Sequence, residues 1–197
     1  QGVTYPSPWN TSYQIVNLGT SDATIVVDYY RPDGTVATSA QRTFAGVKPG
    51  GSVTVLQATE STLGPGVYSA VISADQPIAA VANQQTDPGT GNSQPPFSSY
   101  SGAGEGSTSL ILPAVMHNWY GYYTEFFIQN VGGADATNVD IEYLPTTYAG
   151  CLAGRPGQSD LNLTVKQYAG LNVSQLSKTN LGAIGLTGSC VGYNGRF

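Results

Sequence analysis

Residues 13–32 read YQIVNLGTSDATIVVDYYRP, and residues 126–145 read FFIQNVGGADATNVDIEYLP. At a constant offset of 113, Ile15 meets Ile128, Asn17 meets Asn130, Gly19 meets Gly132, Asp22 meets Asp135 and Ala23 meets Ala136. Thr24/Thr137, Tyr30/Tyr143 and Pro32/Pro145 follow at the same spacing. A second match runs at offset 118, pairing Val53, Val55, Gln57 and Leu63 with Leu171, Val173, Gln175 and Leu181. The growth in offset places about five extra residues near Cys151, as expected of an internal repeat with one enlarged loop. The expected organisation is a first repeat at 1–86, a Gly/Pro/Ser-rich linker at 87–106 and a second repeat at 107–197.

Each copy reads as strands, and in the second the hydrophobic period is two. Val139, Ile141 and Tyr143 alternate with Asn138, Asp140 and Glu142, which marks a strand with one apolar face. Gly, Asp and Pro clusters recur every 10 to 15 residues, as at Pro32-Asp33-Gly34 and Lys48-Pro49-Gly50-Gly51. No stretch sustains a 3.6-residue period. The fold class expected is all-β: two tandem homologous β-sandwich domains, Ig-like or jelly-roll-like.

The copies differ at their ends. After Gly66 the first copy has two strand-like runs, through Ile72 and through Ala82, whereas nine residues follow the corresponding Gly188. The second copy is therefore expected to lack its last strand and to offer an open sheet edge. An identical chain donating a strand would cover it, giving a head-to-tail contact that propagates. The alternatives are a domain with one strand fewer, or a gap filled by the linker of the same chain. At offset 113 the polar positions Asn138, Asp140 and Glu142 correspond to Ile25, Val27 and Tyr29. These three, with Tyr193 and Phe197, are the expected self-association residues. The same offset sets Asp28 against Ile141, a core position that a local bulge would let the aspartate escape.

Composition narrows the class of protein. Among 197 residues, Lys and Arg number 7 against 12 Asp and Glu, for a net charge of -5. Only 10% of residues are charged, against about 25% in ordinary domains. No basic patch favours nucleic acid, and no apolar run is long enough for a spanning helix. Gly (25), Tyr (13) and Pro (12) take the place of charge, which suits a secreted or cell-surface protein. Gln1 stands where a start Met would, so a removed secretory signal is expected. Cys151 and Cys190 are read as one disulfide rather than two buried thiols; closing about 39 residues, it would contribute roughly 3–4 kcal/mol. Asn10, Asn162 and Asn172 head Asn-x-Ser/Thr sequons and are candidate glycan acceptors.

Catalytic signals are weak, and no enzyme activity is expected. His117 is the one histidine and lacks a nucleophile motif. Glu125 follows the aromatic run Trp119-Tyr-Gly-Tyr-Tyr123, which could line a sugar site but also fits a strand edge. Calcium is the candidate cofactor, though none is required. Asp22 and Asp135 share one turn of the repeat, and Asp87 lies beside Pro88-Gly89. Asx-turn roles explain the first two equally well.

The repeat motif, with Ser-Ala-Val-Ile-Ser-Ala-Asp-Gln-Pro-Ile-Ala-Ala-Val at 69–81, resembles repeats in secreted and cell-surface β-sandwich proteins of prokaryotes. The architecture looks like that of strand-donating subunits of extracellular filaments and tubes. The resemblance implies a structural role in a homopolymer of identical subunits, with calcium sometimes present and no catalytic residues. The alternative is a secreted carbohydrate-binding or adhesive module that stacks glycans on Trp9, Trp119, Tyr120, Tyr122 and Tyr123.

Overall fold

In a computed structural model of the chain, residues 9–86, 97–116, 124–145, 158–174 and 192–196 are described. They are antiparallel β-strands joined by turns, with two single-turn 3-10 segments, Thr38–Ala40 and Gln57–Thr59, as their helical content. The chain is all-β. Two compact units emerge: one of Gln1–Tyr29, Val36–Gly66 and Ala70–Gly104, the other of Tyr30–Thr35, Val67–Ser69 and Glu105–Phe197.

Unit 1 is built on β1 (Trp9–Asn17), β2 (Ala23–Tyr30), β3 (Arg42–Val47), β4 (Ser52–Leu56), β5 (Ser69–Ala74), β6 (Ile78–Thr86) and β7 (Phe97–Ser101). One sheet has the order β4-β1-β6-β7 and the other β3-β2-β5. Strand β2 alternates buried and less buried residues along its length, as period two requires. Its inward residues Ile25, Val27 and Tyr29 are buried, as are Tyr13 and Ile15 of β1 and Val55 of β4, and the Tyr13 and Tyr29 hydroxyls meet. Burying each aliphatic side chain contributes roughly 1.5–3 kcal/mol.

Unit 2 contains β8 (Ile111–Met116), β9 (Glu125–Gln129), β10 (Ala136–Pro145), β11 (Gln158–Val165), β12 (Gly170–Ser174) and β13 (Gly192–Arg196). Its sheets have the orders β11-β10-β13-β8 and β12-β9. Val115, Ile141, Tyr143 and Val173 form its core, with Phe126, Ile128, Leu163 and Leu171 packed against them.

Two sequence expectations are corrected here. Ile25, Val27 and Tyr29 are not an outward stripe; they are 0%, 0% and 2% exposed. The reason is a bulge in β10. Ala136 pairs with Val165 and Val139 with Leu163, so three steps on β10 oppose two on β11. The extra residue is Asn138, held at φ 59°, a left-handed conformation that asparagine tolerates better than most residues. Beyond it the offset is 114, not 113. Ile25, Val27 and Tyr29 then correspond to the inward Val139, Ile141 and Tyr143. Asp28 matches Glu142, and both side chains lie off the core face. The second correction concerns the linker: residues 97–101 form β7, which extends the β1 sheet alongside β6.

Candidate functional site

The repeat is written into the hydrogen bonds at its turns. In unit 1, Asn17 Nδ2 donates to the carbonyls of Ser21 and Val47, both at 2.8 Å, and Asn17 Oδ1 accepts from Gly19 N–H at 2.8 Å. In unit 2, Asn130 Nδ2 donates to Ala134 O at 2.7 Å and Val165 O at 3.0 Å, and its Oδ1 accepts from Gly132 N–H at 2.9 Å. Each asparagine thus plugs the turn after its strand and ties it to the end of a strand in the facing sheet. Lys48 Nζ meets Asp22 Oδ2, and Lys166 Nζ meets Asp135 Oδ2, each at 2.7 Å. Asp22 and Asp135, two of the three candidate calcium carboxylates, therefore each face a lysine ammonium. Asp135 also accepts from Gln167 N–H at 2.9 Å. The Lys166 bond, then the Gln167 N–H, holds its carboxyl below the ordinary range. No group of three His, Cys, Asp or Glu side chains that could hold a metal occurs among the described residues.

Unit 1 also encloses a polar cluster. The Tyr13 and Tyr29 hydroxyls bond to each other, and Gln57 Nε2 donates to Tyr29 Oη at 2.9 Å. Nearby, Arg42 grips Glu60 with two nitrogens, Nε reaching Oε1 at 3.1 Å. Burial, then the bond to Tyr29, pushes the Tyr13 phenol far above its ordinary pKa. Unit 2 keeps the buried tyrosine and changes its partner: Tyr143 Oη donates to Asp160 Oδ2 at 2.9 Å. These phenols sit at the sheet interface with their hydroxyls satisfied, a packing role.

The feature with the clearest bearing on function is the state of the sheet edges. In unit 1, β1 carries β4 on one side and β6 on the other, with β7 beyond. Its repeat counterpart β9 carries β12 on the corresponding side, Gly170 to Ser174 against Gln129 to Glu125. Among the described residues no strand lies on the other side of β9. The β2 sheet is preserved: β11-β10-β13 repeats β3-β2-β5, and β8 adds a fourth strand. Among the described residues the repeats therefore differ in both sheets: β9 lacks counterparts of β6 and β7, and the β10 sheet gains β8. Phe127 in β9 is 50% exposed.

The remaining expected site residues are placed as follows. Tyr193 lies in β13, opposite Pro145 and Val115. Phe197, Cys151, Cys190, Asp87, His117, Trp119, Tyr120, Tyr122 and Tyr123 lie outside the described residues. Asn162 is exposed at a second bulge with φ 57°, and its N–H donates to Asp140 Oδ1 at 2.8 Å. Asn172 is exposed and donates to Glu125 Oε1 at 2.7 Å, while Asn10 lies in β1 and is half-buried. Trp9 is 43% exposed. A shallow cavity of about 270 Å³ in unit 2 is lined by Pro32, Val67, Thr164, Val165, Leu171 and Asn172, with no titratable side chain among them. No helix among the described residues is long and apolar enough to cross a membrane.

The asparagine plugs and the lysine partners were not singled out as functional from sequence. The signal was present: Asn17/Asn130 match at offset 113, and Lys48/Lys166 at 118. Comparisons with protein families, with curated proteins and with solved structures return no match to this chain.

Proposed function

We propose that the chain is a structural subunit of an extracellular homopolymer whose identical copies join by β-strand addition. In this reading the two units are homologous sandwiches, and the second takes from a neighbouring copy the strand that the first supplies for itself. One observation carries it: β1 has strands on both sides, whereas its counterpart β9 has only β12 among the described residues. A sheet edge left open invites an extended segment, which gains affinity from main-chain ladder bonds and specificity from alternate side chains. The register of β6 on β1 describes the expected guest. Ala80 and Ala82 lie opposite Ile15 and Tyr13, so small residues would face Ile128 and Phe126. The low charge supports close packing of many copies, because little like-charge repulsion opposes it. The secreted location is supported by that composition and by the exposed sequon residues Asn162 and Asn172.

Negative-stain imaging and sedimentation across a concentration series test the reading. Filaments, tubes or sheets are expected, and Phe127→Lys should suppress them by placing a charge on β9. Dispersed monomers at every concentration would overturn the proposal. Repeating the series with a calcium chelator reports whether calcium sits at the joints.

A further inference from the structure

We propose that β7 is a second, self-complementary joint. Two copies of the chain pair through antiparallel β7 strands about a twofold axis at Ser99.

Among the described residues strand β7 ends the sheet β4-β1-β6-β7, and all five of its residues are exposed, Phe97 at 63% and Tyr100 at 52%. Gly102 N–H donates to Ala80 O at 2.8 Å, which fixes the phase of the ladder. Antiparallel bonding alternates, so Ser98 and Tyr100 turn their main-chain groups toward β6. Phe97, Ser99 and Ser101 turn theirs outward.

Four other edges in the protein are guarded, unlike β5, β9 and β12. β8 contains Pro113 and a bulge between Leu112 and Val115. β3 carries Arg42 and the left-handed Gly46, at φ 69°. β11 carries Asp160 and the left-handed Asn162. At the end of β4 the Leu56 carbonyl is taken by Thr59 Oγ1 at 2.8 Å. These are the charges, prolines and irregularities that keep edges from pairing. β7 has none of them: its residues FSSYS are uncharged, and its register against β6 is unbroken. Its whole sheet is uncharged, since β1, β4, β6 and β7 contain no Asp, Glu, Lys or Arg.

The occupant follows from the strand itself. Turned antiparallel about Ser99, Phe97 faces Ser101 of the partner subunit, Ser98 faces Tyr100 of the partner subunit, and Ser99 faces Ser99 of the partner subunit. Every outward residue then meets an outward residue, allowing about six main-chain hydrogen bonds. Each large side chain falls opposite a serine, and no like charges meet across the axis. Alone, such a joint closes as a dimer. Alternating with a joint at β9, it would propagate.

Cysteine scanning of the full chain tests this. In a hydrogen-bonded pair the two Ser99 Cα atoms lie about 5.5 Å apart, within disulfide range. Two Ser98 positions sit diagonally, at about 7–8 Å. With Cys151 and Cys190 retained and linked peptides identified by mass spectrometry, Ser99→Cys should form a 99–99 dimer at least tenfold faster than Ser98→Cys forms 98–98. Equal rates, or no link, would overturn the proposal. So would preferential linking of Ser99→Cys to a Thr54→Cys or Phe127→Cys copy, which would assign the β7 edge to β4 or β9. Polymers without a 99–99 link defeat the twofold joint and spare the polymer reading. A 99–99 dimer that never polymerises does the reverse.

Discussion

Replacing Asn17 by alanine should cost unit 1 about 3–4 kcal/mol, and replacing Asn130 should cost unit 2 only about 1–2 kcal/mol. The two side chains make the same three hydrogen bonds, so the difference comes from burial. Asn17 is 0% exposed, and its bond to Val47 O is fully buried. Removing the amide strands that carbonyl away from water, at close to the full desolvation penalty of about 1–3 kcal/mol. The partly buried Ser21 carbonyl and Gly19 N–H add smaller losses. Around Asn130 the bonds to Ala134 and Gly132 are exposed, and water can replace them. Only the bond to Val165 is part-buried. Hydrogen exchange read by mass spectrometry separates the units through peptides covering residues 9–30 and 125–145. Asn17→Ala should lower protection in the first peptide about 100-fold or more, and Asn130→Ala should lower the second about tenfold, at 1.4 kcal/mol per decade. Asn17→Asp keeps the volume but turns a carboxylate on two carbonyls, so at neutral pH it should be no milder than alanine. A loss below tenfold for Asn17→Ala, or a larger loss for Asn130→Ala, would refute the argument from burial.

Three further outcomes are expected. Because Tyr13 holds its proton more tightly folded than unfolded, its contribution is complete below pH 10 and is lost as pH rises beyond it. Unit 1 should lose stability as pH rises from 10 to 11 in urea titrations, and Tyr13→Phe should flatten that slope. Tyr168 sits at φ 59° where the first repeat has Gly50 at φ 71°, and its ring packs on Tyr30 at 5.3 Å. Both Tyr168→Ala and Tyr168→Gly lose the ring, but only glycine relieves the left-handed backbone; Tyr168→Gly should be the more stable by about 1 kcal/mol in thermal melts. Asp135 is depressed chiefly by Lys166, so the pairing is present above the ordinary carboxylate range and fades as pH falls through the lowered pKa. NMR titration should find the Asp135 pKa moved upward in Lys166→Gln, and an unchanged value would remove Lys166 as the cause.

Much of this architecture was legible because it depends on local chemistry. The alternating residues of β10 and the Gly- and Asp-rich turns each state their structure in a few residues. The plug asparagines were visible as matched positions, although the carbonyl of Val47, thirty residues from Asn17, could not be read as its partner. Strand β7 was illegible for a physical reason. An edge strand whose five residues are all exposed needs no apolar alternation, so FSSYS, after two prolines, looks like loop. What makes it a strand is the ladder offered by β6, a tertiary fact.

The apolar stripe at Ile25, Val27 and Tyr29 shows how one residue can reverse a functional reading. A strand has period two, so a single inserted residue exchanges its faces. Aligning the repeats without a gap through Asn138 set core residues of one copy against solvent residues of the other, and a sticky surface followed from the mismatch. The clue lay in the alignment itself: it placed Asp28 against Ile141, which would bury a carboxylate at a cost of several kcal/mol unless paired. A bulge resolves that conflict, and it lies in β10 rather than in β2, since Asn138 carries the left-handed backbone. Once the gap is allowed, Asp28 and Glu142 both lie off the core face, Tyr29 and Tyr143 both point inward, and the faces of the two repeats agree. Among the described residues the asymmetry that remains between the copies is one of strand count, two strands fewer in the sheet of β9 and one more, β8, beside β13, and the case for assembly rests on main-chain edges rather than on an exposed apolar face.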